Sequence, residues 1–256
     1  MDQEELTRRV YTAAETLQDE WEGHEVPSPS SVFRCRRALW YTGRRIPRSN
    51  RLAPRSIKTM EQGKLMEPFW HSVYARAGFT VLTLAGGSRI PVGPMTGEFD
   101  GLLVDTDGER YLLELKNMGA WSYMKTVMEG VQAAEPDYYY QMQQYMAGAG
   151  LTRTIFHAGM ADASATVWLW QKIKKMPDRP PDFHIEIVPL VQSEWRRAEE
   201  RALEVIALNA LDTLPRADFD PTEGKFPCGS AENPYCGHRD LCLRGATGLE
   251  VPDGNA

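Results

Sequence analysis

Two charged residues separated by one leucine, Glu114 and Lys116 around Leu115, follow the apolar run 111–113. Alternate residues of a β-strand point to the same side, so Glu114 and Lys116 would share one face while Leu115 points into the core. Thirteen residues separate Asp100 from Glu114, which supplies a second carboxylate. Carboxylates bind hard cations such as Mg²⁺ and Mn²⁺, and a neighbouring lysine can activate water or stabilise charge developing on a phosphate. The pattern predicts a metal site for phosphodiester hydrolysis, with the Leu115 carbonyl as a further ligand.

The two carboxylates are expected on neighbouring strands. Turn residues at 105–108 join predicted strands over 97–104 and 110–116 into a hairpin. An exposed ion pair on a strand would give the same spacing of Glu114 and Lys116. However, apolar residues flank both carboxylates, and exposed ion pairs do not usually have such neighbours. We therefore favour the metal site over the ion pair.

Hydrophobic periodicity and turn residues also predict the elements around this hairpin. Helices are predicted over residues 6–21, 32–43, 56–77, 120–130, 137–148 and 192–211, and further strands over 79–84, 89–92, 153–159, 166–171 and 183–188. The tail from residue 212 is rich in proline, glycine and aspartate, yet it holds three cysteines.

Charge is distributed unevenly along this acidic chain. The 256 residues carry a net charge of −6, which argues against a general binder of polyanions. Between residues 34 and 58 there is no acidic residue, and Trp40 and Tyr41 lie inside that stretch. Its basic residues are Arg34, Arg36, Arg37, Arg44, Arg45, Arg48, Arg51, Arg55 and Lys58. A solvated basic loop is the simpler interpretation, but the absence of acids favours a surface for DNA or RNA with stacking side chains.

The apolar runs are too short for a membrane protein, since a spanning helix needs roughly 20 apolar residues. The polar N-terminus, residues 1–5, does not have the pattern of a signal peptide. We therefore expect an intracellular, cytoplasmic protein, in the host cytoplasm if it is viral, with no membrane partner. In a reducing cytosol the four cysteines are not expected to form disulfides, which leaves metal binding or catalysis.

Four motifs in this order resemble those of the RecB-like exonucleases in the PD-(D/E)xK superfamily. They are Gly63-Lys-Leu-Met-Glu67, Gly97-Glu-Phe-Asp100, Glu114-Leu-Lys116 and Gln141-Met-Gln-Gln-Tyr145. The resemblance implies a restriction-endonuclease-like α/β fold, with a central mixed sheet flanked by helices. It also implies that Glu67, Asp100 and Glu114 are metal ligands and that Lys116 is catalytic. Gln141 and Tyr145 are one helical turn apart, so both could face the cleft and touch the substrate or the lysine.

The first motif leaves two candidate ligands. Related CRISPR-associated nucleases have a histidine four residues after the glycine, whereas this chain has Glu67 there and His71 one helical turn later. A carboxylate suits a hard cation better than imidazole does, so Glu67 is preferred. His71 is a plausible second ligand, or else a polar helix residue beside Trp70.

The four cysteines could form one metal site. Cys228, Cys236 and Cys242 cluster in the tail, and Cys35 lies near the N-terminus. Thiolates bind zinc or an iron–sulfur cluster, and zinc is the commoner metal of four-cysteine sites. One N-terminal and three C-terminal cysteines around a nuclease core resemble the iron–sulfur RecB-like nucleases, including the CRISPR adaptation nucleases. That resemblance implies a [4Fe–4S] cluster, held in a clasp that ties the tail to the helix around Cys35.

We predict three regions: an N-terminal helical and basic segment over 1–55, a nuclease core over 56–211 and a cysteine-rich tail over 212–256. The predicted function is a Mg²⁺- or Mn²⁺-dependent DNA exonuclease, acting on single strands or duplex ends in recombination, repair or CRISPR-type processing. The alternative is a zinc-stapled nucleic-acid-binding protein with a non-catalytic nuclease fold. A G-x-x-x-x-G-K-[ST] loop is absent from the sequence, so any unwinding would come from a partner. Such partners would be a helicase, a recombinase or a CRISPR adaptation protein.

Overall fold

A computed structural model describes residues 3–16, 27–50, 54–82, 89–172, 180–219 and 236–246. Its helices are α1 (Gln3–Thr16), α2 (Arg36–Gly43), α3 (Pro54–Arg76), α4 (Ala120–Glu129), α5 (Val131–Ala134), α6 (Pro136–Ala149), α7 (Ala163–Lys172), α8 (Gln192–Asn209) and α9 (Arg239–Ala246). Its strands are β1 (Thr80–Leu82), β2 (Arg89–Val92), β3 (Met95–Glu98), β4 (Gly101–Val104), β5 (Arg110–Met118), β6 (Arg153–Met160) and β7 (Phe183–Pro189). None of the described helices is both long and apolar enough to cross a membrane.

The chain divides into two compact units. The terminal unit combines Met1–Lys58 with Arg201–Ala256, and the central unit is Thr59–Glu200. The central unit contains a five-stranded sheet in the order β1-β4-β5-β6-β7. The pairing of β5 with β6 is parallel and the other pairings are antiparallel, so the predicted mixed sheet flanked by helices is confirmed. Strands β2 and β3 form a separate antiparallel pair.

Strand β5 lies in the middle of the large sheet because its apolar residues are buried on both faces. Leu112 and Leu113 point to opposite sides, and both are fully buried. On one face, Leu113 packs with Tyr74 of α3 and Ile155 of β6. The opposite face of β5 carries the two charged residues.

Helix α6 has Pro136 in its first turn. It is capped at its C-terminal end by Gly150, whose φ of 66° is the left-handed conformation that favours glycine.

The structure corrects the predicted strand over residues 97–104. Strand β3 ends at Glu98 and pairs with β2, whereas β4 begins at Gly101 and pairs with β5. Asp100 therefore lies in the bend between two sheets rather than within a strand. Phe99 is buried in this bend, with its ring centroid 6.3 Å from that of Tyr145. Burial of Phe99 accounts for the apolar pattern that resembled a continuous strand.

The predicted strand over residues 166–171 is wrong, because this segment belongs to helix α7. Asp162 caps that helix: its Oδ1 accepts a hydrogen bond from the Ala165 N–H at 2.8 Å, and its carbonyl accepts one from the Thr166 hydroxyl at 2.7 Å. Thr166 and Trp170, one helical turn apart, are both buried. The bulky residues 166–170 suggested a strand, but the capping aspartate and the spacing of the two buried residues indicate a helix.

Other boundaries differ less. Helix α2 begins at Arg36 rather than near Val32, because residues 28–31 form a turn closed by the Val32 N–H and the Ser28 carbonyl, 2.9 Å apart. Of the first predicted helix, residues 17–21 lie outside the described residues, as do residues 83 and 84 of the first predicted strand.

Candidate active site

The alternation of β5 brings Glu114 and Lys116 to one face of the sheet. The Glu114 side chain is 1% exposed and that of Lys116 is 21% exposed, and the Lys116 Nζ contacts the Glu114 Oε1. Leu115 points to the other face, where it packs beside Tyr74 and Leu113. The pair therefore has one buried acid and one cation that reaches solvent.

Asp100 is tied to this strand through the backbone. Its Oδ2 accepts a hydrogen bond from the Leu115 N–H at 2.6 Å. This contact fixes the bend before β4 against the strand that carries Glu114 and Lys116. The structure thus brings two carboxylates and one ammonium together.

Burial disfavours the charged form of the Glu114 carboxylate. Burial raises the pKa of Glu114, the Lys116 ammonium opposes that rise, and the charges of Asp100 and Glu67 add to it. The Lys116 ammonium contacts Oε1, whereas Oε2 has no hydrogen-bond partner. Buried polar groups without partners are rare and call for an explanation. A divalent cation bound to Oε2 would provide one.

The residues present fit a hard divalent cation. Mg²⁺ is commonly held by one or two carboxylates together with several waters, so Asp100 and Glu114 are a sufficient protein donor set. Among the described residues, no three acidic, histidine or cysteine side chains come close enough to form a closed metal-binding cluster. Glu67 therefore does not complete such a cluster with Asp100 and Glu114 in this conformation.

Glu67 and His71 both approach the site from α3. Burial raises the pKa of Glu67, as does the charge of Asp100, while Lys116 lowers it. Glu67 is therefore within electrostatic range of the pair. The His71 Nε2 lies 2.8 Å from the backbone carbonyl oxygen of Asp100. Because a carbonyl only accepts, Nε2 carries the proton in this contact, which directs His71 at the backbone of the bend.

Gln141 and Tyr145 face the same side of the sheet from α6. Their side chains are buried, and the Gln141 Nε2 donates to the Tyr145 hydroxyl at 3.4 Å. Burial raises the pKa of Tyr145, and the charge of Glu114 raises it further. The Tyr145 hydroxyl therefore stays protonated and available as a donor. The predicted helical spacing of the two residues agrees with their contact.

Tyr138 is a site residue that the sequence analysis missed. The Lys116 Nζ lies 5.2 Å from the centroid of the Tyr138 ring, over its face. Burial raises the pKa of Tyr138, and the Lys116 charge opposes this rise. A signal was present in the sequence, because Tyr138 precedes Gln141 by three residues and shares its face of α6.

Within the terminal unit, several arginines of the basic stretch 34–58 are bound to protein groups, so fewer of them can contact a ligand than predicted. Arg36 donates to Glu204 at 2.8 Å and also pairs with Asp218, and Arg37 donates to the Pro215 carbonyl at 2.9 Å. Arg44 donates to the carbonyl of Leu211. These three arginines bind the C-terminal part of the same unit. In the part that the structure describes, the exposed basic residues of the stretch are Arg34, Arg45, Arg48 and Lys58.

The aromatic residues of that stretch are not available to stack on bases. Trp40 is 7% exposed and Tyr41 is fully buried, in a cluster with Ile46 and Leu241. The predicted stacking surface formed by Trp40 and Tyr41 is therefore wrong. Their apolar bodies are needed for the small core of this unit, which outweighs any role on the surface.

Three of the four cysteines lie near one another in the terminal unit. Charges on Cys35, Cys236 and Cys242 would each raise the pKa of Tyr41, which burial already raises to about 12. No disulfide joins Cys35, Cys236 and Cys242 to one another, and Cys228 lies outside the described residues. The three described thiols are not gathered into a metal-binding cluster. The structure does not show the predicted clasp.

Residues 39–152 match the family model described as the YqaJ-like viral recombinase domain. The chain matches no curated protein significantly. Among solved structures it is similar to an alkaline exonuclease from Laribacter hongkongensis, with 17% identity, a TM-score of 0.45 and coverage of 79% of this chain and 92% of that chain. The same exonuclease in complex with dAMP gives 19% identity, a TM-score of 0.48 and the same coverage. A phage-related exonuclease from Haemophilus somnus 129PT gives 15% identity and a TM-score of 0.40, with coverage of 59% of this chain and 70% of that chain.

Proposed function

We propose that this chain, whose residues 39–152 match the YqaJ-like viral recombinase domain, is a metal-dependent DNA exonuclease. The family match implies a DNA exonuclease, and it spans all four motifs. The observation that carries the metal dependence is the Glu114 carboxylate, which is buried beside Asp100 and whose Oε2 has no hydrogen-bond partner, while its Oε1 contacts Lys116. Two neighbouring carboxylates against one ammonium leave a negative charge that a divalent cation at Oε2 would balance.

The carboxylates and the lysine would have separate roles in hydrolysis. Asp100 and Glu114 would hold Mg²⁺ or Mn²⁺, with Glu67 and the Leu115 carbonyl as further ligands. The bound ion would lower the pKa of a coordinated water and screen the phosphate charge. Lys116 would stabilise the charge that develops on the phosphate, since it is held beside Glu114 and reaches solvent.

The remaining site residues would hold this arrangement in place. The Gln141 amide and the Tyr145 hydroxyl are neutral donors that could contact the substrate or Lys116. We assign His71 to the support of Asp100, because its Nε2 is already directed at the Asp100 carbonyl. A direct role of His71 as a ligand would require its other ring nitrogen.

The substrate is proposed to be single-stranded DNA or duplex ends, within recombination, repair or CRISPR-type DNA processing. A helicase, a recombinase or a CRISPR adaptation protein would be the protein partner. Exposed Arg34, Arg45 and Arg48 supply positive charge for phosphate contacts in the terminal unit.

The test is a time course on end-labelled single-stranded and double-stranded DNA, with Mg²⁺, Mn²⁺ or EDTA. We expect mononucleotides to be released progressively from one end, only when a divalent cation is present. Closed circular DNA serves as the control substrate, because it offers no end. Cleavage in EDTA, or equally fast cleavage of the circle, would contradict a metal-dependent exonuclease.

The second candidate is a zinc-stapled nucleic-acid-binding protein with a non-catalytic nuclease fold. It predicts DNA binding without turnover in any metal. The presence of Asp100, Glu114 and Lys116 together argues against it, because clustering like charges on a buried face costs stability that binding alone does not require.

We further propose that Cys35, Cys228, Cys236 and Cys242 bind a [4Fe–4S] cluster. The proposal rests on their order in the sequence and on the proximity of Cys35, Cys236 and Cys242. All four lie outside the matched range 39–152, so the cluster would be an addition to the family domain. We expect about four irons and four sulfides per chain in anaerobically purified protein. Cys35→Ser should lose them, and zinc without iron in the parent would contradict the proposal.

A further inference from the structure

The Lys116 ammonium has a second neighbour besides Glu114. Its Nζ lies over the face of the Tyr138 ring, 5.2 Å from the ring centroid, and the Lys116 side chain is 21% exposed. A cation within about 6 Å of a ring centroid is attracted by the negative face of the ring. Tyr138 therefore contacts Lys116, the residue that would stabilise the charge developing on the phosphate.

The Tyr138 ring differs from the Glu114 carboxylate because it carries no net charge. Lysine carries its charge on a flexible four-carbon stem, so its position depends on its neighbours. A Glu114 carboxylate that also holds a divalent cation attracts Lys116 less strongly, because its charge is shared. A tyrosine ring has no net charge, so it can hold the ammonium without competing for the cation.

We propose that Tyr138 is a positioning residue that holds the Lys116 ammonium at the reacting phosphate through the face of its ring. The inference rests on the proposed exonuclease function. Tyr138 is on α6, three residues before Gln141, so the helix that carries Gln141 and Tyr145 also positions the lysine. The aromatic face is the feature required, and the hydroxyl is not.

The test replaces Tyr138 by a graded series of rings. Tyr138→Phe should keep kcat close to that of the parent. Phenylalanines with one, two and three ring fluorines at this position keep nearly the same shape but weaken the negative face stepwise. We expect kcat to fall with each step, by about tenfold for the trifluorinated ring, with little change in KM. A ring that only fills space would give a flat series.

The same helix offers a matched control. The centroid of the Tyr140 ring lies 5.2 Å from the Arg197 guanidinium, which also donates to the Tyr140 hydroxyl at 2.5 Å, so this ring has a cationic neighbour away from the reacting groups. The fluorinated series at Tyr140 should leave kcat unchanged. Thermal unfolding of each variant, followed by circular dichroism, verifies that the ring series folds like the parent.

The outcomes separate this inference from the function on which it rests. If Lys116→Ala is inactive but the series at Tyr138 is flat, the inference is wrong and the exonuclease proposal stands. A Tyr138→Phe variant as slow as the trifluorinated one also overturns the inference, because the hydroxyl would then be the required group. If Lys116→Ala cleaves as fast as the parent, the catalytic role of Lys116 and this inference both fail, whereas the proposed function fails if the parent itself cleaves no DNA in Mg²⁺ or Mn²⁺.

Discussion

Replacing Lys116 by alanine is expected to slow DNA cleavage by about a thousandfold while leaving DNA binding within about twofold of the parent. The lysine contributes one charge at the position where the phosphate becomes more negative, so its loss acts on the transition state more than on the bound substrate. Rates should be measured in single turnover on end-labelled DNA, and binding in Ca²⁺ by fluorescence anisotropy.

Lys172 provides the control for Lys116→Ala. It is an exposed lysine on α7 whose Nζ lies 5.2 Å from the centroid of the Trp168 ring, so it also has an aromatic neighbour. Lys172→Ala should cleave at the parental rate. A Lys116→Ala variant that retains more than about a tenth of parental activity at saturating metal would exclude Lys116 from the chemistry.

The second large effect is expected from Glu114→Gln. Glutamine keeps the shape of the side chain but removes the charge that binds the cation, so cleavage should fall by about a thousandfold or more. The same change should abolish the rise in Tm that Mg²⁺ or Mn²⁺ produces in the parent, because a ligand stabilises only the state that binds it. Differential scanning fluorimetry across a metal titration measures this second effect without any DNA.

Glu109→Gln is a suitable control for Glu114→Gln. Glu109 also sits in an ionic contact, with Arg153, but it is at the turn before β5 and away from the charged face. This variant should keep both cleavage and metal-induced stabilisation. A Glu114→Gln variant that is still stabilised by metal to the parental extent would show that the cation binds elsewhere.

The metal-free stability of these proteins should depend on pH in a defined direction. Burial raises the pKa of Glu114 above its ordinary value of 4.5, so the folded state binds a proton at a higher pH than the unfolded chain does. The contribution of Glu114 to the free energy of unfolding is therefore complete below pH 4.5, and it is lost as the pH rises through the pKa of the folded state. Glutamine does not titrate, so the parent's stability relative to Glu114→Gln should decrease over that window. Urea unfolding in EDTA measures the difference.

Part of this site could be read from the sequence because the information is local. Period two in β5 places Glu114 and Lys116 on one face, and helical spacing brings Gln141 and Tyr145 into contact. Asp100 was placed on the correct hairpin but in the wrong conformation. Its bend depends on the burial of Phe99 against Tyr145, a contact between distant segments that periodicity does not reveal.

The prediction of a free basic surface in the terminal unit also failed because of contacts between segments that are distant in sequence. A run of arginines without acids suggested a free surface, yet Arg36 pairs with Asp218, which is 182 residues away in sequence. Such pairings depend on the tertiary fold rather than on neighbouring residues. Helix α7 is different, because the cap at Asp162 is local and could have corrected the predicted strand.

The hydrogen bond from the Leu115 N–H to Asp100 gives the site an internal reporter. This amide lies on the central strand, yet its acceptor is a carboxylate proposed to bind the cation. Any charge that Asp100 gives up to a ligand must therefore change the electron density at one backbone proton. In a ¹⁵N–¹H spectrum, the chemical shift of Leu115 would follow the loading of the site directly, and its exchange with solvent would record how often the bend opens.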